Sequence, residues 1–439
     1  MSFCIKQINN NGGCKVEIKI IPTKLNGEIG IPPSKSYSHR AIIAAALASG
    51  ESNIENLNFS IDIQTTTDIM KNFGAVIEQG ENFLKIKGNS GKVVIENNYI
   101  QCNESGSTIR FIIPLALTQD NGQLTIDGKG KLVERPLETY YKIFDKLGID
   151  YKTTNGKLPL YLEGKFKPDT FEVEGNISSQ FITGLLYTLP LLDGDSKIII
   201  KNNLESKGYI DLTLEILKLA GIEIINNEYK SFDIKGNQKY KSFDYTVEGD
   251  YSQVAFWIVA GILGEEVNCK NIYKDSLQGD KEVIEIVQRM GAKLEINDKS
   301  VKVFPSETKG TVIDISQCPD IGPALTVLAA LSEGETRIIN AERLRIKESD
   351  RITSIKTELN KLGAKIEEDG DSLIIQGVKE FEGGVTVDSW NDHRIAMSLA
   401  IASSKCKYPI IITGASAVRK SYPNFWNDFV SMGGKIGEV

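Results

Sequence analysis

Six times along this chain a helix-like apolar stretch runs into a glycine and is followed by two short alternating segments joined by a polar turn. The stretches are IMKNFGAVIEQGENFLKIKG (69–88), IFDKLGIDYKTTNGKLPLYLEG (143–164), ILKLAGIEIINNEYKSFDIKG (216–236), IVQRMGAKLEINDKSVKV (286–303), ELNKLGAKIEEDGDSLIIQG (358–377) and a truncated DFVSMGGKIGEV at the end. Each predicts a helix stopped by a left-handed glycine, then a strand, a turn and a second strand. The stopping residues Gly74, Gly148, Gly221, Gly291, Gly363 and Gly433 lie 74, 73, 70, 72 and 70 residues apart. Such a period dictates repeated structural units before any other feature is weighed.

A second series keeps the same register. Polar clusters at Lys35, Gly106, Ser179, Tyr251, Asp320 and Asp392 are spaced by 71, 73, 72, 69 and 72 residues, and each opens an apolar run such as FIIPLALTQDNG, FITGLLYTLPLLDG, LTVLAALSEG or RIAMSLAIASSK. A helix apolar on nearly every side belongs inside a domain, with the lysine-bearing helices of the first series outside it. Each unit therefore supplies one inner helix, one outer helix and strands, an α/β chain of α+β repeats. A chain of 439 residues exceeds one ordinary core, and two domains of three units fit better than a long solenoid. The boundaries fall near 31–35 and 244–250, giving one domain from 34–248, inserted into another made of 1–33 and 249–439. The sixth unit ends without its second strand, so the segments Phe3 to Gln7 and Cys14 to Ile20 are expected to complete it. If the inner helices of a domain run parallel, their N-termini converge, and their unpaired N–H groups make an anion site.

That local positive character contrasts with the whole, whose formal net charge is −7. An acidic chain without aromatic and basic residues interleaved is not built to neutralise many phosphates, so nucleic acid is not an expected partner. No stretch of about 18 uninterrupted apolar residues occurs, and the N-terminus lacks a signal-like apolar region, so a cytoplasmic protein without a membrane partner is expected. Cys4, Cys14, Cys102, Cys269, Cys318 and Cys406 are scattered without a paired C-x-x-C spacing, which indicates neither a disulfide framework nor a zinc knuckle. No metal-ligating cluster is visible, and neither metal nor cofactor is expected. Among the basic residues arginine is scarce. Arg40, Arg110, Arg135, Arg351 and Arg394 stand in polar clusters beside apolar runs, where a planar fork can grip phosphate or carboxylate.

Individual motifs allow bland explanations. PPSKSYSHR (32–40) sets Lys35, Ser36 and Arg40 at the start of an inner helix, NISSQF (176–181) sets two hydroxyls and an amide at another, and RLRIKESDR (343–351), SWNDHR (389–394) and VRKSYPNF (418–425) add cations and donors. Any one of these is explained as a helix cap or a solvated face. Recurring in repeat register, they point together to a ligand with several negative charges. Asp320, before the run ALTVLAALSEG, reads on its own as a helix cap.

In sequence order, PPSKSYSHR, NESGSTIRF, ERP, NISSQF, ESKGYIDLT, CPDIGPAL, RIKESDR, NDHRIAM and RKSYP resemble the motifs of the enolpyruvyl transferases, and of their shikimate branch in particular, over the whole chain. The resemblance implies an inside-out barrel of two domains with the active site in the cleft between them. It implies transfer of the enolpyruvyl group of phosphoenolpyruvate to the 5-hydroxyl of shikimate 3-phosphate, with release of phosphate through a noncovalent tetrahedral intermediate, by a monomer. Carried over by motif, Lys35, Ser36, Arg40, Ser178, Ser179, Gln180, Ser206, Tyr209, Asp320, Arg343 and Lys347 would hold shikimate 3-phosphate. Lys35, Gly106, Arg135, Gln180, Arg351, Arg394 and Lys420 would hold phosphoenolpyruvate. Lys35, Asp320 and Glu348 resemble the catalytic groups, and His393 is expected to support its loop. Three positions depart from the pattern: Glu104 stands where an Asn is usual, Arg343 where many relatives have Asn, and Gly208 where Pro is common. Two alternatives remain at this point. One is the sister transferase acting on UDP-N-acetylglucosamine, whose loop cysteine is missing from DGKGKLVERP (127–136). The other is a noncatalytic anion-binding or RNA-end-processing repeat protein.

Overall fold

A computed structural model describes residues 6–8, 15–119 and 122–439. The chain forms two compact units, Pro33–Glu248 and Met1–Pro32 with Gly249–Val439. In the first unit six helices alternate between two roles: α1 (Lys35–Leu47), α2 (Ile61–Asn72), α3 (Gly106–Ala116), α4 (Glu138–Leu147), α5 (Ser179–Thr188) and α6 (Lys207–Leu219). The odd-numbered helices are buried along almost their whole length, the exceptions lying in the first two residues of each. Their small and branched apolar residues leave no polar face to turn outward. Gly184 lets α5 approach α3, because a Cβ there would stand 2.3 Å from the Arg110 carbonyl oxygen and from Tyr140 Oη.

Each repeat of the first unit also builds one four-stranded sheet of constant design. In the first, Glu51–Glu55 pairs antiparallel with Phe83–Lys87, which pairs antiparallel with Val76–Gln79, while Tyr245–Thr246 joins the other side in parallel. The register turns Ser52, Ile54, Leu84 and Ile86 inward, and a slip of one residue would expose the whole apolar set. The sheets centred on Leu124–Asp127 and Ser196–Lys201 repeat this order.

The second unit contains α7 (Tyr251–Leu263), α8 (Val283–Arg289), α9 (Gly322–Ala330), α10 (Arg351–Leu362), α11 (His393–Ala402) and α12 (Phe425–Ser431). Every residue of α7, α9 and α11 is buried. In the sixth sheet the antiparallel partner of Ile410–Thr413 and of Lys435–Gly437 is Lys15–Ile21, which fills the place of the missing second strand. Lys6–Ile8 pairs antiparallel with residues 15–17 of that strand, along the same edge as Lys435–Gly437. Of the segments expected there, Phe3, Cys4, Ile5 and Cys14 lie outside the described residues. Cys102, Cys269, Cys318 and Cys406 are free and buried.

All six stopping glycines have positive φ, 92° at Gly74, 66° at Gly148, 73° at Gly221, 107° at Gly291, 106° at Gly363 and 89° at Gly433. A side chain at those positions would strain the turn that sends each outer helix into its sheet. Among the described residues no helix is long and apolar enough to cross a membrane.

Candidate active site

In the first unit the polar residues gather where the inner helices begin. Ser34 caps α1 by accepting from the Tyr37 N–H. Lys35, the first residue of that helix, forms a 2.9 Å ion pair with Asp62 in the first turn of α2. One turn further, Arg40 is only 2% exposed. Its Nε donates to Thr213 Oγ1 at 2.9 Å, and its two terminal nitrogens donate to the carbonyls of Ser36 at 2.8 Å and Tyr209 at 2.9 Å. Phe111 lies beneath the guanidinium, 5.2 Å away. Arg40 thus brings fixed positive charge to the start of α1, and its fork is held without reliance on solvent.

Gln180 joins the starts of α3 and α5. Its Nε2 donates to Ser107 Oγ at 2.9 Å, and its Oε1 accepts from Arg110 Nη1 at 2.7 Å. At Gly106 a Cβ would stand 2.3 Å from Arg135 Nη1, so a side chain there would have to displace that guanidinium. The Arg135 guanidinium therefore lies across the first residue of α3. Ser178 caps α5 by accepting from the Gln180 N–H, with Ser179 as the first helical residue. Ser206, at φ 55°, precedes α6 and makes no side-chain capping bond there. Glu104 turns toward Gly130, where a Cβ would meet its Oε2 at 2.6 Å. Asn103 donates to Thr65 Oγ1 at 2.9 Å.

The second unit concentrates charge more strongly. Asp392 caps α11 by accepting from the Arg394 N–H at 2.9 Å. Arg394 reaches Ser252 Oγ at 3.0 Å in the first turn of α7 and Asp320 Oδ2 at 3.3 Å before α9. The starts of three inner helices meet at this one side chain. Arg351, 1% exposed, distributes its fork among three carboxylates: Asp392 at 2.8 Å from Nε, Asp320 at 2.9 Å from Nη1 and Glu348 at 2.7 Å from Nη2. Lys347 adds a 3.1 Å contact to Asp320, and Lys420 Nζ donates to the Asn391 carbonyl at 2.7 Å. Arg343 is buried nearby in the 342–346 turn that precedes Lys347.

These contacts set the protonation states. Burial alone would raise the pKa of Asp320, but Arg394, Lys347 and Arg351 overcome it and hold the carboxyl well below the usual range. Burial pushes Lys347 down to about 8 against the opposing pull of Asp320. Arg351 is held more firmly charged than usual, because Asp392, Glu348 and Asp320 outweigh the cost of burying it.

Sequence order alone did not reveal several partners. Asp320 lies inside the 319–321 turn, whose cap position is Cys318, while Ile321 stands at the cap of α9, and its carboxylate is set among cations. Asp62, Ser107 and Thr213 were not singled out, and Asp392 marked only the start of an inner helix. Thr213 had a legible signal, a hydroxyl in the buried stripe of α6 beside Ile210, Ile216 and Leu217. His393 is 1% exposed within α11. Among the described residues no group of three or more His, Cys, Asp or Glu side chains is placed to hold a metal ion.

The repeated helix-and-sheet fold is shared with a solved enolpyruvyl transferase. A solved structure of the enolpyruvyl transferase NikO from Streptomyces tendae shares the fold at TM-score 0.77 and 17% identity, covering 96% of this chain and 98% of that one. Within that class, the profile of the EPSP synthase (3-phosphoshikimate 1-carboxyvinyltransferase) family matches residues 20–429, and the chain belongs to that family. The 3-phosphoshikimate 1-carboxyvinyltransferase of Clostridium novyi (strain NT) is 57% identical over 430 residues, covering 96% of this chain and 98% of the relative. That of Clostridioides difficile (strain 630) is 54% identical with the same coverage. The structure of EPSP synthase from Acinetobacter baumannii superposes with TM-score 0.80 at 25% identity, covering 96% of this chain and all of that one.

Proposed function

We propose that this protein transfers the enolpyruvyl group of phosphoenolpyruvate to the 5-hydroxyl of shikimate 3-phosphate and releases phosphate, a step toward chorismate and aromatic amino acids. The observation that carries this reading is the full-length match to curated 3-phosphoshikimate 1-carboxyvinyltransferases at more than half identity. The chemistry of the two units supports it, since both substrates are anions with a phosphate and a carboxylate, and each unit offers cations and N–H groups at helix starts. The two sets are proposed to act on the same pair of substrates, in a monomer located in the cytoplasm.

In this assignment Ser178, Ser179 and Ser206 take the shikimate phosphate, with Ser36, Arg40, Gln180, Tyr209, Arg343 and Lys347 supporting the same substrate. Arg135, Arg351, Arg394 and Lys420 take phosphoenolpyruvate. Lys35 serves both, and Gly106 keeps room for Arg135. The 5-hydroxyl adds to C2 of phosphoenolpyruvate while a proton goes to the methylene carbon. Loss of phosphate and of a methyl proton from the tetrahedral intermediate then restores the double bond. Asp320 and Glu348 are the carboxylates proposed for these transfers. With three cations against it, Asp320 is a weak base in the free protein. Substrate anions that draw Arg394, Lys347 and Arg351 to themselves would leave burial as the dominant influence and raise its basicity.

The test is phosphate release with phosphoenolpyruvate and each candidate acceptor. Turnover with shikimate 3-phosphate and none with UDP-N-acetylglucosamine is expected, and the reverse preference would reject the assignment.

A further inference from the structure

α10 begins at Arg351 and carries Glu358 two turns later, where the side chain is 1% exposed. Its Oε1 accepts from the Trp390 indole N–H at 2.8 Å and its Oε2 from the Asp388 backbone N–H at 3.0 Å. Lys361 Nζ reaches both oxygens, at 2.9 and 2.8 Å. A carboxylate buried this deeply persists only when paired and hydrogen-bonded, and half of its bonds go to a single turn.

That turn is unusual. Trp390 and Asn391 have successive positive φ values of 55° and 53°. A bulky residue in the left-handed region is rare, and it persists where its surroundings over-determine it. The conformation places two groups of the charged cluster. The Asn391 carbonyl accepts from Lys420 Nζ at 2.7 Å, and Asp392 follows at once to hold Arg351. The side of the turn toward Lys420 has its own anchors. Asp388 Oδ2 accepts from Thr413 Oγ1 at 2.7 Å, and Ser389 Oγ donates to the Gly414 carbonyl at 2.9 Å, next to the helical turn Ala415–Lys420. Glu358 is the link on the other side, from the helix that starts with Arg351.

We propose that Glu358 is a positioning residue for the phosphoenolpyruvate end of the site, acting through the 388–391 turn on Lys420 and Arg351. It touches neither substrate. It fixes where the Asn391 carbonyl and the Asp392 carboxylate stand, and through them the spacing of two cations that must meet one small, multiply charged anion. Small displacements of such groups are costly to productive binding. The inference rests on the assignment of Lys420 and Arg351 to phosphoenolpyruvate made above.

Three variants test it in steady-state kinetics with both substrates varied. Glu358→Gln keeps the volume but has one acceptor oxygen, so its amide NH2 faces either the Trp390 indole or the Asp388 N–H. The KM for phosphoenolpyruvate should rise about fivefold or more while that for shikimate 3-phosphate stays within about twofold. Trp390→Phe deletes one of the two bonds to the turn from a residue 39% exposed, and should move the same parameter in the same direction by about threefold. If Glu358→Gln does not fold, Trp390→Phe decides alone. Equal rises in both KM values, or an unchanged phosphoenolpyruvate KM in a folded variant, would overturn the positioning role, because a merely structural Glu358 has no reason to favour one substrate. Lys420→Met run in parallel separates the premise from the inference. If it leaves the phosphoenolpyruvate KM unchanged, the assignment of Lys420 is wrong and the positioning role falls with it.

Discussion

Replacing Asp320 by Asn changes one heavy atom in the charge cluster around Arg351. The carboxylate stands 2.9 Å from Arg351, 3.1 Å from Lys347 and 3.3 Å from Arg394. Asn keeps the shape and one acceptor oxygen but turns an NH2 toward at least one cation. Removing one partner of a buried ion pair costs about 3–5 kcal/mol. Here Glu348 and Asp392 still face Arg351, so a loss of about 2–4 kcal/mol is expected. For a domain of this size that lowers Tm by roughly 4–16 °C, and the variant should remain folded at 25 °C. Turnover should fall much further, by about 100-fold or more, if the carboxylate accepts or orients the proton of the 5-hydroxyl. Shikimate 3-phosphate should still bind through the serines of the first unit. Because Asp320 pulls the Lys347 pKa upward more than Glu348 does, its loss should shift Lys347 further down and move the high-pH limb of the rate profile lower. The assay is phosphate release across about pH 6–9, beside a thermal scan and a titration with shikimate 3-phosphate. A folded Asp320→Asn protein with turnover within about threefold of the parent would refute the reasoning, since general acid–base assistance is worth far more than that.

Other outcomes follow from the same geometry. Lys347, with its pKa near 8, keeps its charge below that pH and loses it above, so the KM for shikimate 3-phosphate should rise as pH passes about 8, and Lys347→Arg should flatten the rise because Arg stays protonated. The sign for stability is opposite to that of a stabilising ion pair. The unfolded chain holds this proton more tightly, so the group's destabilisation is full below about 8 and is relieved as pH climbs toward 10.5, which urea titrations of Lys347→Met against the parent would show as a difference that shrinks over that window. Gly106→Ala would drive a methyl to 2.3 Å from Arg135 Nη1, so the guanidinium must move and the phosphoenolpyruvate KM should rise about tenfold or more with the shikimate 3-phosphate KM little changed; equal effects on both would argue against the placement. Thr213→Val removes the acceptor that fixes Arg40 Nε at 2.9 Å. It should cost about 1–3 kcal/mol by denaturant melting and weaken shikimate 3-phosphate binding in calorimetry, and no change in either would show that Arg40 is held by its other contacts.

Much of this fold was legible because backbone chemistry writes itself into sequence. Six glycines at one period mark six left-handed helix ends, and the structure places all six at positive φ. The inner helices announced themselves by being apolar on every side, and their polar first residues became the sites of Lys35, Ser179 and Arg394. What stayed hidden were partners supplied by other elements. Nothing in the local sequence says that Asp62 of one helix meets Lys35 of another, or that Arg351 divides its fork among residues 31 positions before it and 41 after it. Asp320 illustrates the difference, since an acid before a helix is a cap by local rules and only tertiary contacts show it facing three cations. Glu358 was hidden for the opposite reason. It sits in a lysine-rich outer helix where a Glu three residues before a Lys reads as an ordinary surface pair, and its burial comes from the turn folded over it.

The most direct test of the enolpyruvyl transfer is to identify its product. Phosphoenolpyruvate labelled with carbon-13 at C2 would be incubated with shikimate 3-phosphate and the purified protein and followed by carbon and phosphorus NMR. Enolpyruvyl transfer predicts one inorganic phosphate for each new enol ether, the labelled carbon joined to the 5-oxygen and the 3-phosphate left in place. Phosphate appearing with labelled pyruvate and no enol ether, or no reaction in protein that binds both substrates, would contradict it.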